Sequence, residues 1–208
     1  MPVRSQPAAR GLTRRGRETR DRIVKTAAEL IFDQGLDRTT IDDVRTAANV
    51  SSSQLYHYFD DKPALVRAVI EYQADTIVGG QEHFDLSSLG GWREWREFVV
   101  GHERSLNCRG GCPIGSLGSQ VSETEPDARE AVAAGFKRWE DTIRAGLRKM
   151  HRLGRLAPEA DPDQLALATL AALQGGLLLA QVERDTKPLE AALDAMIALI
   201  ASHSGGAV

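Results

Sequence analysis

Between residues 51 and 62 the chain concentrates groups that can meet a polyanion. There are three consecutive hydroxyls, Ser51, Ser52 and Ser53, then the amide of Gln54, the phenol of Tyr56, the imidazole of His57 and the ammonium of Lys62. Hydroxyls and amides donate to phosphate oxygens or to base edges, and an ammonium neutralises a phosphate. Thr40 adds one more hydroxyl upstream. A second set, His102, Cys108 and Cys112, has the imidazole and thiolate chemistry of a soft-metal site or a thiol switch. Three ligands with one close pair fall short of a paired zinc motif, so no metal is assigned; a buried, unreactive thiol is the usual fate of such cysteines. Neither set makes a catalyst. The chain has no Gly-rich phosphate loop before a helix and no nucleophile elbow, and nothing brings its Ser, His and Asp residues together. No enzymatic activity, catalytic residue or cofactor is expected.

The first set needs two short helices to hold it. Thr40 with Asp43, and Ser51 with Gln54, each have the spacing of a capping box, in which a side-chain oxygen satisfies a free amide of the first turn. Gln54 therefore has two readings, a base-reading amide or simply the second half of a cap. Between the helices lies Ala47-Ala48-Asn49-Val50, and asparagine enters a left-handed turn at low cost. If Val50, Leu55 and Phe59 pack inward on Ile41, Val44 and Ala48, then Ser52, Ser53, Gln54, Tyr56 and His57 face outward, and Tyr58 is the packed tyrosine. A helix of about seven residues is roughly 10 Å long and the major groove about 12 Å wide. The start of this helix can then approach base edges while Tyr56 and His57 reach phosphates.

Before this pair, Ile23, Ala27, Leu30 and Ile31 mark one stripe of a helix that starts near Glu18 and that Gly35 can end in a left-handed conformation. After it, Asp60-Asp61-Lys62-Pro63 opens a fourth helix with Leu65, Val66, Val69 and Ile70 inside, running to Val78-Gly79-Gly80. Lys62 stands at that helix start, beside amides suited to a phosphate. Residues 1–16, rich in Arg, Pro, Ala and Gly, read as a flexible basic arm. The expected domains are this arm, a helix-turn-helix head over residues 17–62 and a body over residues 63–208, with a helix from about 62 to 78 linking the two.

The formal net charge of −3 hides a gradient. The first 25 residues hold eight basic groups against two acidic ones, a local +6, so the negative total does not oppose DNA binding. No apolar stretch near the start resembles a signal peptide. The longest apolar run, Leu165 to Ala180, is sixteen residues and is interrupted by Gln174, Gly175 and Gly176, short of the roughly twenty a bilayer span needs. A cytoplasmic protein without a membrane partner is expected, and two cysteines fit a reducing compartment.

Thr39-Thr40-Ile41-Asp42-Asp43-Val44, then Ala47-Ala48-Asn49-Val50-Ser51, then Leu55-Tyr56-His57-Tyr58-Phe59-Asp60-Asp61-Lys62 together resemble the reading head of tetracycline-repressor (TetR) family regulators, over about Arg20 to Ile70. The resemblance implies an all-α protein: a three-helix head with its third helix in the major groove, and a helical-bundle body for ligand binding and dimerisation. It also implies a homodimer on near-palindromic double-stranded DNA, with a small-molecule effector that relieves repression. Residue by residue, it assigns Thr40 and Tyr56 to phosphate, Ser51 to the start of the recognition helix, and His57 and Lys62 to the backbone. Asn49 stands where that family often has Gly, and Ser52 where a Lys is frequent. Arg14, Arg15 or Arg17 could supply the missing charge from an adjacent groove.

The body reads as helical throughout: Trp92 to Ser105, Ile114 to Val121, Pro126 to Leu153, Pro162 to Val182 and Pro188 to Ser202. The stretch Cys108-Arg109-Gly110-Gly111-Cys112-Pro113-Ile114-Gly115-Ser116-Leu117-Gly118 is similar to the body of a subgroup that includes regulators of multidrug export. By spacing, the candidate ligand box is Trp92, Trp95, Phe98, Val99 and His102, with Leu117 and Gln120, and with Phe136, Trp139 and Ile143; the competing reading is core, the commoner fate of aromatics at helical spacing. Leucines wrap nearly all sides of the eighth helix, and Leu189, Ala192, Leu193, Met196, Ile197 and Ile200 line one stripe of the ninth. Those two helices are the expected dimer face, with Gly175-Gly176 permitting close approach.

Overall fold

A computed structural model describes residues 11–204. Among them the structure is all-α: α1 Arg14–Gln34, α2 Ile41–Ala47, α3 Ser52–Tyr58, α4 Lys62–Gly79, α5 Leu89–Ser105, α6 Pro113–Val121, α7 Pro126–Arg152, α8 Pro162–Glu183 and α9 Lys187–Ser202. Two compact units divide the chain. One runs up to Gln73 and includes Leu117–Val132; the other is Ala74–Ser116 with the chain from Ala133 on. The divisions fall inside α4, α6 and α7.

In the first unit α1 begins four residues before the expected Glu18. Thr13 caps it, its hydroxyl accepting from the Gly16 amide at 3.1 Å, and Arg14 pairs with Glu18 at 2.9 Å. Arg14 and Arg15 are thus helical and not part of a flexible arm, while residues 1–10 lie outside the described residues. No apolar side chain marks that first turn, so periodicity could not register it. Gly35, at φ 87° and ψ 162°, ends the helix outside the left-handed helical well, its N–H donating to Ile31 O. The core takes Ile23, Val24, Ala27 and Ala28 from α1, Val44 and Ala48 from α2 and its cap, and Leu55 and Phe59 at α3. Leu65, Val66, Val69 and Ile70 of α4 are buried as expected, whereas Leu30, Ile31 and Ile41 are only half-buried.

The second unit is built on close packing of α8 and α9. A Cβ at Gly176 would lie 2.9 Å from the Leu189 Cα and 3.2 Å from the Ala192 Cβ, so this glycine admits α9 of the same chain, while the space at Gly175 is open. At Gly176 the close approach is thus within one chain. Arg96 on α5 holds α9 through two bonds to the Asp194 carboxylate, both 2.9 Å. α8 is long and apolar enough to cross a membrane, which the sixteen-residue run understated. Leu165, Ala166, Leu170, Leu173, Leu177 and Ala180 are nevertheless buried within the unit. One face of α8 is thus core, while Leu167, Leu178, Leu179 and Val182 are exposed.

Candidate nucleic-acid interface

α2 and α3 have seven residues each, too few to persist alone, and reciprocal caps fix both starts. Thr40 Oγ1 accepts from the Asp43 amide at 3.1 Å; Asp43 Oδ2 accepts from the Thr40 amide at 2.9 Å and from its hydroxyl at 2.6 Å. These bonds, the hydroxyl's first, hold the Asp43 carboxyl below its ordinary value. The Thr40 hydroxyl proton is thereby engaged within the chain, and donating to a phosphate would break that bond. At α3, Ser51 Oγ accepts from the Gln54 amide at 3.1 Å and Gln54 Oε1 accepts from the Ser51 amide at 2.9 Å. Ser51 Oγ also lies 3.0 Å from Ser53 Oγ. Capping uses the carbonyl end of Gln54. Its NH2 end is the one with donors to offer a base.

Asn49 makes the turn at φ 51°, its N–H donating to Thr46 O at 3.1 Å, and Val50 N–H returns to Arg45 O at 3.2 Å. Arg22 of α1 donates from Nε to the Ala48 carbonyl at 3.1 Å, a cation at the carbonyl end of α2. The Arg20 guanidinium sits 5.4 Å above the Phe59 ring. Sequence reading missed both roles: these arginines lie within a basic stretch, and no local spacing separates those that bolt the head together from those facing solvent.

Leu55 and Phe59 are buried, while Ser52, Ser53, Gln54, Tyr56 and His57 are exposed. Tyr56 is 53% exposed; Tyr58 is half-buried, with its hydroxyl 3.6 Å from where a Gly16 Cβ would stand, and lies edge-on to His57 at 4.9 Å. No carboxylate interrupts α3. Lys62 Nζ donates to Leu36 O at 2.8 Å, pinning the start of α4 to the loop after α1. An ammonium has three donors, so this bond leaves it able to meet a phosphate as well.

Two family models match: "Bacterial regulatory proteins, tetR family" over residues 23–69 and "Tetracyclin repressor-like, C-terminal domain" over residues 93–196, the latter alone half of the chain. The chain belongs to the tetR family. Like its relatives, this tetR-family chain is a DNA-binding transcriptional regulator. It is 28% identical over 182 residues to an uncharacterised HTH-type transcriptional regulator in the lacX 3' region of Lactococcus lactis subsp. lactis, covering 86% of this chain and 91% of that one. It is 27% identical over 174 residues to the transcriptional regulator AcuR of Cereibacter sphaeroides, covering 80% and 78%. Among solved structures, the reduced form of E. coli NemR superposes with a TM-score of 0.76 at 24% identity, over 92% of this chain and all of that one. This last likeness is one of fold.

The candidate ligand box of this tetR-family body is scattered between core and surface. Trp92, Trp95, Trp139 and Ile143 are buried in the second unit, and each indole N–H already has a partner there. Trp92 donates to Leu86 O at 3.0 Å, while Trp95 and Trp139 both donate to Oε1 of buried Gln81, at 3.0 and 2.9 Å. Gln81 was not foreseen; it sits in what reads as a loop, with no local signal. Phe98 and His102 are exposed and Val99 is half-buried; Phe98 contacts Phe84 at 5.2 Å. Half-buried Phe136 lines an open cleft of about 340 Å³ with Leu167, Leu170 and Gln174. Leu117, buried, and Gln120, exposed, belong to the first unit.

Cys108 and Cys112 are free and buried. Burial is the first cause that pushes both thiols up, offset at Cys112 by the Gly115 amide donating to Sγ at 3.3 Å. A raised thiol holds little thiolate, the reactive and metal-binding form. Among the described residues no three His, Cys, Asp or Glu gather to hold a metal, so His102, Cys108 and Cys112 do not form such a group. Glu103 is also buried, its Oε2 unpartnered, and desolvation pushes its carboxyl up.

Proposed function

We propose that this chain is a homodimeric repressor that holds a near-palindromic operator and leaves it when a small apolar or amphipathic molecule binds the body. The acid-free exposed face of α3 carries the reading. Its start offers Ser52, Ser53 and the NH2 of Gln54 to base edges, with Ser51 capping, while Tyr56, His57, Lys62 and the rim at Thr40 serve the phosphates. Leu167, Leu178, Leu179 and Val182 of α8 and Leu199 of α9 are exposed, and a second copy covering them would build a four-helix contact. An effector would act by population shift, favouring the conformer whose two heads no longer match grooves about 34 to 36 Å apart. The likeness of the Cys108–Gly118 stretch to regulators of multidrug export supports an apolar or amphipathic effector. The alternative of a thiol- or metal-responsive regulator draws no support from two buried thiols with raised pKa. We place the protein in the cytoplasm with its DNA.

Fluorescence anisotropy of the full chain on DNA flanking its own gene, beside a scrambled duplex, tests this. The expected result is selective binding that weakens about a thousandfold or more between roughly 50 and 200 mM salt, as counterions are released. Equal, weak affinity for both duplexes would sink the operator reading.

A further inference from the structure

In the second unit an open cleft of about 490 Å³ lies where the turn after α5 meets the turn between α8 and α9. Three guanidiniums line it, from Arg104, Arg109 and Arg184. Arg104 pairs with Glu190 at 3.0 Å and Arg184 donates to Cys108 O at 2.8 Å. Among the described residues, neither Arg109 nor Arg184 has a carboxylate within 4.0 Å. Asp185, the one acid in the lining, is engaged by Lys187, through its ammonium and its amide, each at 3.0 Å.

The backbone of this wall is itself unusual. Four described non-glycine residues have positive φ, and three of them line the cleft: Asn107 at 52°, Cys108 at 52° and Arg184 at 55°. The fourth, Asn49, makes the turn of the helix-turn-helix. A left-handed residue is costly unless it is Gly, or Asn or Asp with local bonds, so Cys108 and Arg184 bear that cost, and such costs collect where a site needs a fixed shape. Here they fix two adjacent turns, one bonded to the other through Arg184 and Cys108 O.

We propose that this cleft binds a small molecule through a carboxylate or phosphate group, received by Arg109 and Arg184 with the Asn107 amide beside them. A guanidinium presents its N–H groups as a fork that fits either anion, and the volume lies within the range of small-molecule sites. The proposal goes beyond the DNA reading and does not depend on it.

Calorimetric titration and thermal unfolding of the full chain in a zwitterionic buffer test it, with inorganic phosphate, acetate and succinate each set against sodium chloride at matched ionic strength. Saturable binding and a raised midpoint are expected for phosphate or for the carboxylates, and the arm that saturates names the group. Arg109 makes no side-chain bond among the described residues, so R109Q keeps the fold and should weaken binding about tenfold or more; R184Q should do the same. R93Q, at an exposed position of α5 outside the lining, should bind as the wild type does. The site is overturned if no anion acts beyond chloride, or if R109Q and R184Q both retain wild-type affinity. No operator DNA enters either measurement.

Discussion

Asn49 shows how much one residue can carry in a seven-residue helix pair. At φ 51°, Asn49→Ala should cost about 1 kcal/mol of head stability in chemical unfolding, while Asn49→Gly should be close to neutral. Gln54 joins two tasks that substitution can separate. Gln54→Glu keeps an oxygen for the Ser51 amide but replaces the NH2 with a charge that phosphates repel; it should fold like the wild type and lose operator binding. Tyr56→Phe should weaken operator and scrambled duplexes by a similar factor, since a phosphate contact carries no sequence. Lys62→Ala is less clean, because its bond to Leu36 O makes it lower stability as well as affinity. Glu103 gives a pH signature. Its folded carboxyl titrates above the ordinary value of 4.5, so the destabilisation is absent below that value, grows as pH rises through it and is complete above the folded value. Glu103→Gln should therefore raise the unfolding midpoint at neutral pH, with the gain vanishing in acid.

At the scale of elements, what was legible is what is local. The Thr40 and Ser51 caps, the Asn49 turn and the proline starts of α7 and α8 depend on residues a few positions apart, and each stands where its spacing put it. The Thr13 start of α1 is equally local but follows no apolar stripe, so it escaped a reading led by hydrophobic period. The Gln81 bridge lies 14 residues from Trp95 and 58 from Trp139, and no sequence pattern announces a contact at such range. For the same reason Gly176 could be read as making room for another helix without revealing whose. Gln81→Leu should strand both indole N–H groups and destabilise the second unit by on the order of 3 kcal/mol. Denaturant unfolding checks this, and a loss under about 1 kcal/mol would mean the indoles find other acceptors.

At the scale of the whole molecule, Leu167, Leu178, Leu179 and Val182 leave an exposed apolar stripe on α8. If a second copy covers them, Leu178→Glu with Val182→Glu should convert dimer to monomer in sedimentation velocity and cost the operator most of its affinity, since one head gains nothing from its neighbour's half-site. A double variant that remains dimeric would send the interface elsewhere.

The division into two units has an optical counterpart. All three tryptophans, 92, 95 and 139, belong to the second unit, and all three tyrosines, 56, 58 and 72, to the first. Excitation at the red edge, which spares tyrosine, will therefore report on the second unit alone, and the second-derivative tyrosine bands of the absorbance spectrum on the first. One unlabelled sample can show whether an added compound is felt by one half or by both.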